Sequence, residues 1–177
     1  MAFDAYLFID GIEGDSTSET YTKPPGYSLK PIEIKSYGLG IEMPMVENRS
    51  ATGAASVGRA NFEEYETAKT LDGSSFSLLF SCLAGKHIDK AAVRVYRSIG
   101  EDESAPAFLY MEIFYKTIVI TEVSVSGGGD EMPSETLKFS YNEIEYKYYH
   151  TDEKGKAAGS SSFKWSRIDN TGEKTFQ

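Results

Sequence analysis

An all-β fold is predicted by two features of the chain: its apolar residues mostly alternate with a period of two, and no strand-helix-strand alternation of a parallel sheet appears. A single stretch with helical spacing adds one element of the other kind. The expected architecture is mainly β, a barrel or sandwich of about seven to eight strands flanked by one short α-helix covering an open end or seam. At 177 residues the chain matches one domain, able to bury a core without disulfide or metal staples. No internal repeat divides it.

In "FDAYLFID" the odd positions Phe3, Ala5, Leu7 and Ile9 share a face, and "GIEGDSTSE" ends that strand with glycines and small polar residues. The prolines of "YTKPPGYSLKP" keep the next segment out of a helix. In "IEIKSYGLGIEM", Ile32 and Ile34 share one parity and Tyr37, Leu39 and Ile41 the other, which predicts a bulge near Ser36. "NFEEYETAK" and "AAVRVYRS" read as strands, the second with Val93 and Val95 inward.

"SSFSLLFSCLAGKH" places Phe76, Leu79, Phe80 and Leu83 at i, i+3, i+4 and i+7, the stripe of an amphipathic helix. Ser74 or Ser75 caps its start and Gly85 its end. "AFLYMEIFYKTIVITEVSVS" is aromatic and β-branched over about twenty residues, far beyond an ordinary strand, so it must curve or serve two sheets. "SGGGDEMPSE" turns the chain back into "TLKFSYNEIEYKYY", where Leu137, Phe139 and Tyr141 hold one parity and Ile144, Tyr146 and Tyr148 the other; a second bulge is expected near Asn142. From about residue 151 to 177 the polar, Gly- and Ser-rich composition predicts a loose tail around a short strand at Phe163 to Trp165.

Charge and composition narrow the function classes. With 27 acidic and 18 basic residues the net charge is −9, which disfavours nucleic acid and anionic membranes as partners. No apolar run approaches the ~20 residues of a membrane helix, so no membrane insertion is expected. The single Cys82 excludes an internal disulfide framework, in keeping with a reducing, cytoplasmic site of folding. The start "MAFDAYLFIDGIEGD" lacks a basic segment and a long apolar one, so any export would proceed without a cleaved signal peptide.

The residues that could carry chemistry have simpler explanations. His87, at the end of the helix, and His150, at the end of a Tyr-rich strand, would form a metal or acid-base site only by converging with a carboxylate. Cys82 reads as a buried, inert thiol. Glu63, Glu64 and Glu66 of "NFEEYE" suggest a glycosidase pair, but adjacent strand residues point to opposite faces, and Glu64 with Glu66 read as solvated surface. Gly127 to Gly129 are followed by neither a Lys-Ser pair nor a helix, so a hairpin turn is expected rather than a phosphate loop. No catalytic constellation, cofactor site or metal site emerges, and the chain is not expected to be an enzyme.

The segment "RSATGAASVGRANFEEYE" points to assembly. Its first half, small residues from Ser50 to Gly58, has no apolar anchor of its own and either gains a fixed conformation from a partner or is a merely tolerated surface insertion.

In order along the chain, "MAFDAYLFIDGIEGDS", "SATGAASVGRANFEEYETAKTLD", "FSLLFSCLAGKHI", "IVITEVSVSGGGDEMPSETLKFSYNEIEY" and "FKWSRIDN" resemble the hemolysin-coregulated proteins, Hcp, of bacterial type VI secretion. The resemblance implies a β-barrel flanked by a helix, a homohexameric ring, and rings stacked into a tube inside a contractile sheath. It also implies a VgrG-type spike protein at the tip, small effector proteins in the lumen, and secretion of a structural subunit with no catalytic residue. The family's extended loop falls here on Glu42 through Gly58, with Glu42, Met43, Pro44, Asn48, Ser50, Thr52, Gly53, Ala54, Ala55 and Gly58 expected at the ring-stacking contact. The match at "KSYG" puts Ser36 on the strand that lines the channel, with Glu33 and Lys35 flanking it; a plain bulge serine is the competing reading. The proline-rich segment and "SIGEDESAPAF" depart from the pattern and bear on ring-edge or sheath contacts. No appended toxin domain is expected after the last strand, and so no effector-bearing variant. A contractile-phage-type tail-tube subunit and a monomeric β-barrel binding a small ligand are the alternatives; the second needs interior room, which Phe3, Leu7, Phe62, Tyr65 and Phe139 are expected to fill.

Overall fold

The computed structural model describes residues 3–18, 20–44, 58–97, 107–129, 132–152 and 157–176. Strands β1 (Phe3–Ile9), β2 (Ile32–Ile34), β3 (Ser36–Gly38), β4 (Ile41–Glu42), β5 (Asn61–Phe62) and β6 (Tyr65–Thr70) precede helix α1 (Ser75–Leu83). After it come β7 (His87–Arg97), β8 (Phe108–Ser126), β9 (Ser134–Ser140), β10 (Glu143–Thr151), β11 (Ala157–Ser166) and β12 (Thr171–Phe176). The predicted mainly-β fold with one helix is what forms, in more and shorter strands than expected.

Hydrogen-bonded neighbours run β2-β1-β7-β8-β9-β6-β3, every pair antiparallel. Because β2 and β3 are halves of one segment joined at Lys35, this path returns to its own start and the sheet wraps around its core. No extra residue enters either ladder near Ser36. The expected bulge is instead a change of partner at Lys35, β2 pairing with β1 and β3 with β6, while the Lys35 N–H donates to the Ala68 carbonyl at 2.7 Å. That exchange explains the parity switch.

β8 is shared by two branches of one sheet, which accounts for its length. One edge pairs with β7; the other pairs with β10 over Met111 to Lys116 and with β9 over Val119 to Ser126. Between them Thr117 takes a φ of 51°, a left-handed conformation that is rare for a β-branched residue, and the buried parity moves from Ile113 and Tyr115 to Ile118 and Ile120. The opposing break falls at Asn142, whose N–H donates to the Lys116 carbonyl at 3.0 Å. There too the predicted bulge is an exchange of partner: β9 faces β6 and β8, whereas β10 faces β8 and β11.

The interior is packed with rings. Tyr65 stacks on Phe139 at 4.7 Å, and Tyr115 meets Tyr65, Phe139 and Tyr141 at 5.3, 5.1 and 4.8 Å. Leu7, Ile32, Ile113, Ile118, Ile120 and Leu137 complete this core. The inward set predicted for β1 is buried at Ala5, Leu7 and Ile9, and the opposite face is covered as well: Tyr6 and Phe8 join Ala92, Tyr96, Tyr21 and Tyr27 in a second cluster. The proline-rich segment is the lid of that cluster. Arg94 fastens it by donating to the Thr22 carbonyl at 2.7 Å, while it ion-pairs with Glu112, which also accepts from the Tyr149 hydroxyl at 2.9 Å.

Two expectations fail. The tail is no loose end around a short strand: β11 pairs along β10 and β12 along β11, extending the sheet beyond the wrapped body. The helix does form, ended by Gly85 at φ 57° with the Gly85 and Lys86 N–H groups closing on the Cys82 and Ser81 carbonyls, but of its apolar stripe only Leu79 is half-buried and the other three residues face away from the body. Leu78, Ser75 and Ser81 are buried, while Phe76, Phe80 and Leu83 are 79, 71 and 87% exposed.

Candidate assembly surfaces

The long loop leaves from a small, well-defined base. β4 and β5 pair Ile41 with Phe62 and Glu42 with Asn61, and the Gly58 N–H donates to the Pro44 carbonyl at 3.4 Å. Just outside this pair the Glu63 N–H donates to the Gly40 carbonyl at 3.0 Å, and the exposed Glu63 side chain lies over Gly40. Ile41 and Met43 stand half exposed beside Glu42 and Pro44, apolar surface left open where the loop departs. Asn48, Ser50, Thr52, Gly53, Ala54 and Ala55 lie outside the described residues.

The returning side of the loop is tied down by contacts the sequence did not reveal. Arg59 donates to the Arg167 and Ile168 carbonyls, the second at 3.1 Å, and the Arg167 guanidinium lies 5.3 Å from the ring centres of both Phe62 and Tyr141. The loop base is thereby joined to the turn between β11 and β12. Burial pushes the Tyr141 phenol up to about 12, partly countered by Arg167, so the ring stays neutral beneath the guanidinium.

Ser36 is exposed on β3, opposite Ala68, and the Thr67 hydroxyl donates to its carbonyl at 2.5 Å. Of its flanking charges, Lys35 is exposed, and Glu33 accepts from the Ser16 hydroxyl at 2.7 Å. Glu63, Glu64 and Glu66 are all exposed. Glu66 lies 3.8 Å from Lys138, which reaches Glu122 at 3.1 Å, so this part of the wall is a row of charges and not a paired-carboxylate site. The expected single strand "NFEEYETAK" breaks at Glu63 and Glu64, between β5 and β6.

The remaining candidates fall apart in space. His87 opens β7 opposite Val119, whereas His150 on β10 bonds the Ser161 hydroxyl at 2.7 Å. Cys82 is half-buried against the core rather than sealed within it. Among the described residues no group of His, Cys, Asp and Glu is arranged to hold a metal. Gly127 to Gly129 lie in the turn between β8 and β9, with Gly129 at φ 68°.

Buried charges are what sequence reasoning missed. Lys69 is fully buried and its ammonium contacts Asp72 at 2.9 Å, the Ser75 hydroxyl and Thr70 carbonyl at 3.0 Å, and buried Glu135 at 3.4 Å. This latch fixes the start of α1 to β6 and β9. A signal existed: Lys69 shares the parity of Tyr65 and Thr67, and Glu135 that of Leu137 and Phe139.

These features match known proteins. A family model described as "Type VI secretion system effector, Hcp" matches residues 6–148. Protein hcp1 of Pseudomonas aeruginosa is 23% identical over 169 residues, spanning 94% of this chain and 96% of that protein. A solved structure of a type six secretion system protein superposes with a TM-score of 0.83 at 24% identity, covering 97% of this chain and 100% of the other. The crystal structure of Hcp1 from Salmonella typhimurium does so with a TM-score of 0.72 at 21% identity, covering 98% and 100%. At such identities the structural likeness speaks for the fold alone, but the family model spans most of the chain, and the chain belongs to the Hcp family of type VI secretion proteins.

Proposed function

We propose that this chain is the structural subunit of a type VI secretion inner tube. Six copies close into a ring, rings stack into a tube within a contractile sheath, and a VgrG-type spike protein caps it. The subunit is made in the cytoplasm and leaves with the tube, without a cleaved signal peptide, and small effector proteins travel in the lumen. The stacking contact is made by Glu42, Met43, Pro44, Asn48, Ser50, Thr52, Gly53, Ala54, Ala55 and Gly58, and Ser36 lines the channel. The role is architectural, not enzymatic.

The observation that carries this reading, beyond family membership, is where apolar surface lies. The body's interior is occupied by Tyr65, Tyr115, Phe139 and Tyr141, while Phe76, Phe80, Leu83, Ile41 and Met43 are exposed on its outside. A small-ligand barrel has the reverse distribution, an open interior and a closed, polar exterior. Head-to-tail contacts between unlike surfaces give closed rings with two different faces, each able to meet the next ring.

Size-exclusion chromatography with light scattering, followed by negative-stain imaging, tests the proposal. Ring-shaped particles with the mass of six subunits are expected. A strictly monomeric species at high concentration would overturn it.

A further inference from the structure

We infer that the clasp at the loop base is also a binding site for a single carboxylate carried next to an apolar group, held by the free edges of Arg59 and Arg167 and by the Asn142 side chain. The site goes beyond the tube reading and stands whether or not rings form.

Arg59, Ala60, Phe62, Asn142, Arg167 and Ile168 line an open pocket of about 340 Å³. That is the small end of ligand sites, with room for one side chain or a small acid and not for a nucleotide or other large cofactor. Ala60, Phe62 and the exposed Ile168 make part of the wall apolar, and two guanidiniums and an amide supply the rest.

The fold uses only part of each guanidinium. Arg59 gives Nη2 to the Arg167 and Ile168 carbonyls, and Arg167 gives Nη1 to the Tyr141 carbonyl; the other N–H groups of both have no acceptor among the described residues. The nearby acids are engaged elsewhere: Glu143 pairs with Lys116 at 2.7 Å, Asp169 accepts from the Ser166 hydroxyl at 2.8 Å, and Glu63 lies over Gly40. In a chain of net charge −9, two cations open onto one pocket with no carboxylate partner among the described residues. Arg167 is also preorganised. Its guanidinium lies 5.3 Å from the ring centres of both Phe62 and Tyr141, and its backbone N–H donates to the Asn142 carbonyl at 2.9 Å, so its edge meets a ligand at little further cost in side-chain freedom.

A planar, singly charged carboxylate fits this arrangement better than phosphate. Guanidinium edges pair with a carboxylate in its own plane, and the apolar wall beside them receives the attached carbon chain. Phosphate has no apolar part, and its second charge is opposed by Glu143 and Asp169, next to the lining residues in the chain. The carboxylate comes either from a small acid in solution or from an acidic side chain of a second copy, since the pocket lies at the base of the loop assigned to ring stacking.

The test titrates the full chain with hydrocinnamate, read by calorimetry and by light scattering, with hydrocinnamamide and inorganic phosphate as controls. Saturable binding of hydrocinnamate is expected, about tenfold or more tighter than either control. Asn142→Asp, which sets a carboxylate of the chain's own in the pocket, is expected to weaken binding about tenfold or more while the thermal midpoint stays at or above that of wild type. Arg167→Lys, which keeps the charge but loses the planar fork, is expected to weaken it several-fold. A fall in particle mass during the titration identifies a second copy as the source of the carboxylate, and binding at constant mass identifies a small acid. Equal binding of hydrocinnamamide or phosphate, or undiminished binding by Asn142→Asp, would overturn the carboxylate site. Rings that take up no hydrocinnamate would overturn it and leave the ring proposal standing, whereas a monomeric wild type that binds hydrocinnamate would overturn the rings and leave the site.

Discussion

The wrapped body and the β11–β12 extension are continuous parts of one sheet, yet they are stabilised in different ways. In β9, Glu135, Leu137 and Phe139 are fully buried, whereas all six residues of β12 are exposed. The body is stabilised by apolar area removed from water on the inside of a closed path of strands. The extension is stabilised by its ladders and by Tyr146, Phe163 and Trp165, which pack against the edge of the core, and among the described residues β12 pairs with β11 alone. Closed strands finish their own surface. An exposed last strand remains available to another molecule, and such an edge is a liability in a monomer.

The largest expected break in this contrast is Phe139→Ala. It removes a ring held between Tyr65 and Tyr115 and should lower stability by about 3–5 kcal/mol, read as a fall in the urea midpoint. A loss below about 1 kcal/mol would mean the body does not dominate folding. Next is Lys69→Ala, which strands Glu135 as an unpaired buried carboxylate and should cost about 3 kcal/mol. The double variant Lys69→Met with Glu135→Leu should recover most of that loss, and failure to recover would point to Asp72 and Ser75 as the essential partners.

Smallest is Gly172→Ala. A side chain there would run into the Trp165 ring and the Lys164 carbonyl, so about 1–3 kcal/mol of strain is expected, confined to the extension. Trp165 is the protein's only tryptophan and reports this directly. Its fluorescence should change while circular dichroism of the body unfolds near the wild-type midpoint. A coincident shift of both signals would show that body and extension unfold as one unit.

The body was legible because its strands alternate strictly: Ala5, Leu7 and Ile9, or Leu137 and Phe139, declare an inward face by spacing alone. The parity switches at Ser36 and Asn142 were visible too, but spacing does not separate an extra residue from a change of partner, and both proved to be partner changes. The extension was misread because "GSSSFKWS" and "TGEKTF" contain too little apolar surface to announce strands. Their pairing is supplied by β10, a neighbour the local sequence does not specify.

By itself, then, the sequence determined the mainly-β class, the helix with its Gly85 cap, the doubled role of β8 and, through its ordered motifs, membership of the Hcp family. Tertiary structure alone decided which way the helix turns. Spacing defines a stripe but not its direction, and the Lys69–Asp72–Ser75 latch, built from residues on the body side, rotates Leu78 inward and leaves Phe76, Phe80 and Leu83 outside. Periodicity is a property of one segment, whereas orientation depends on contacts between segments far apart in the chain.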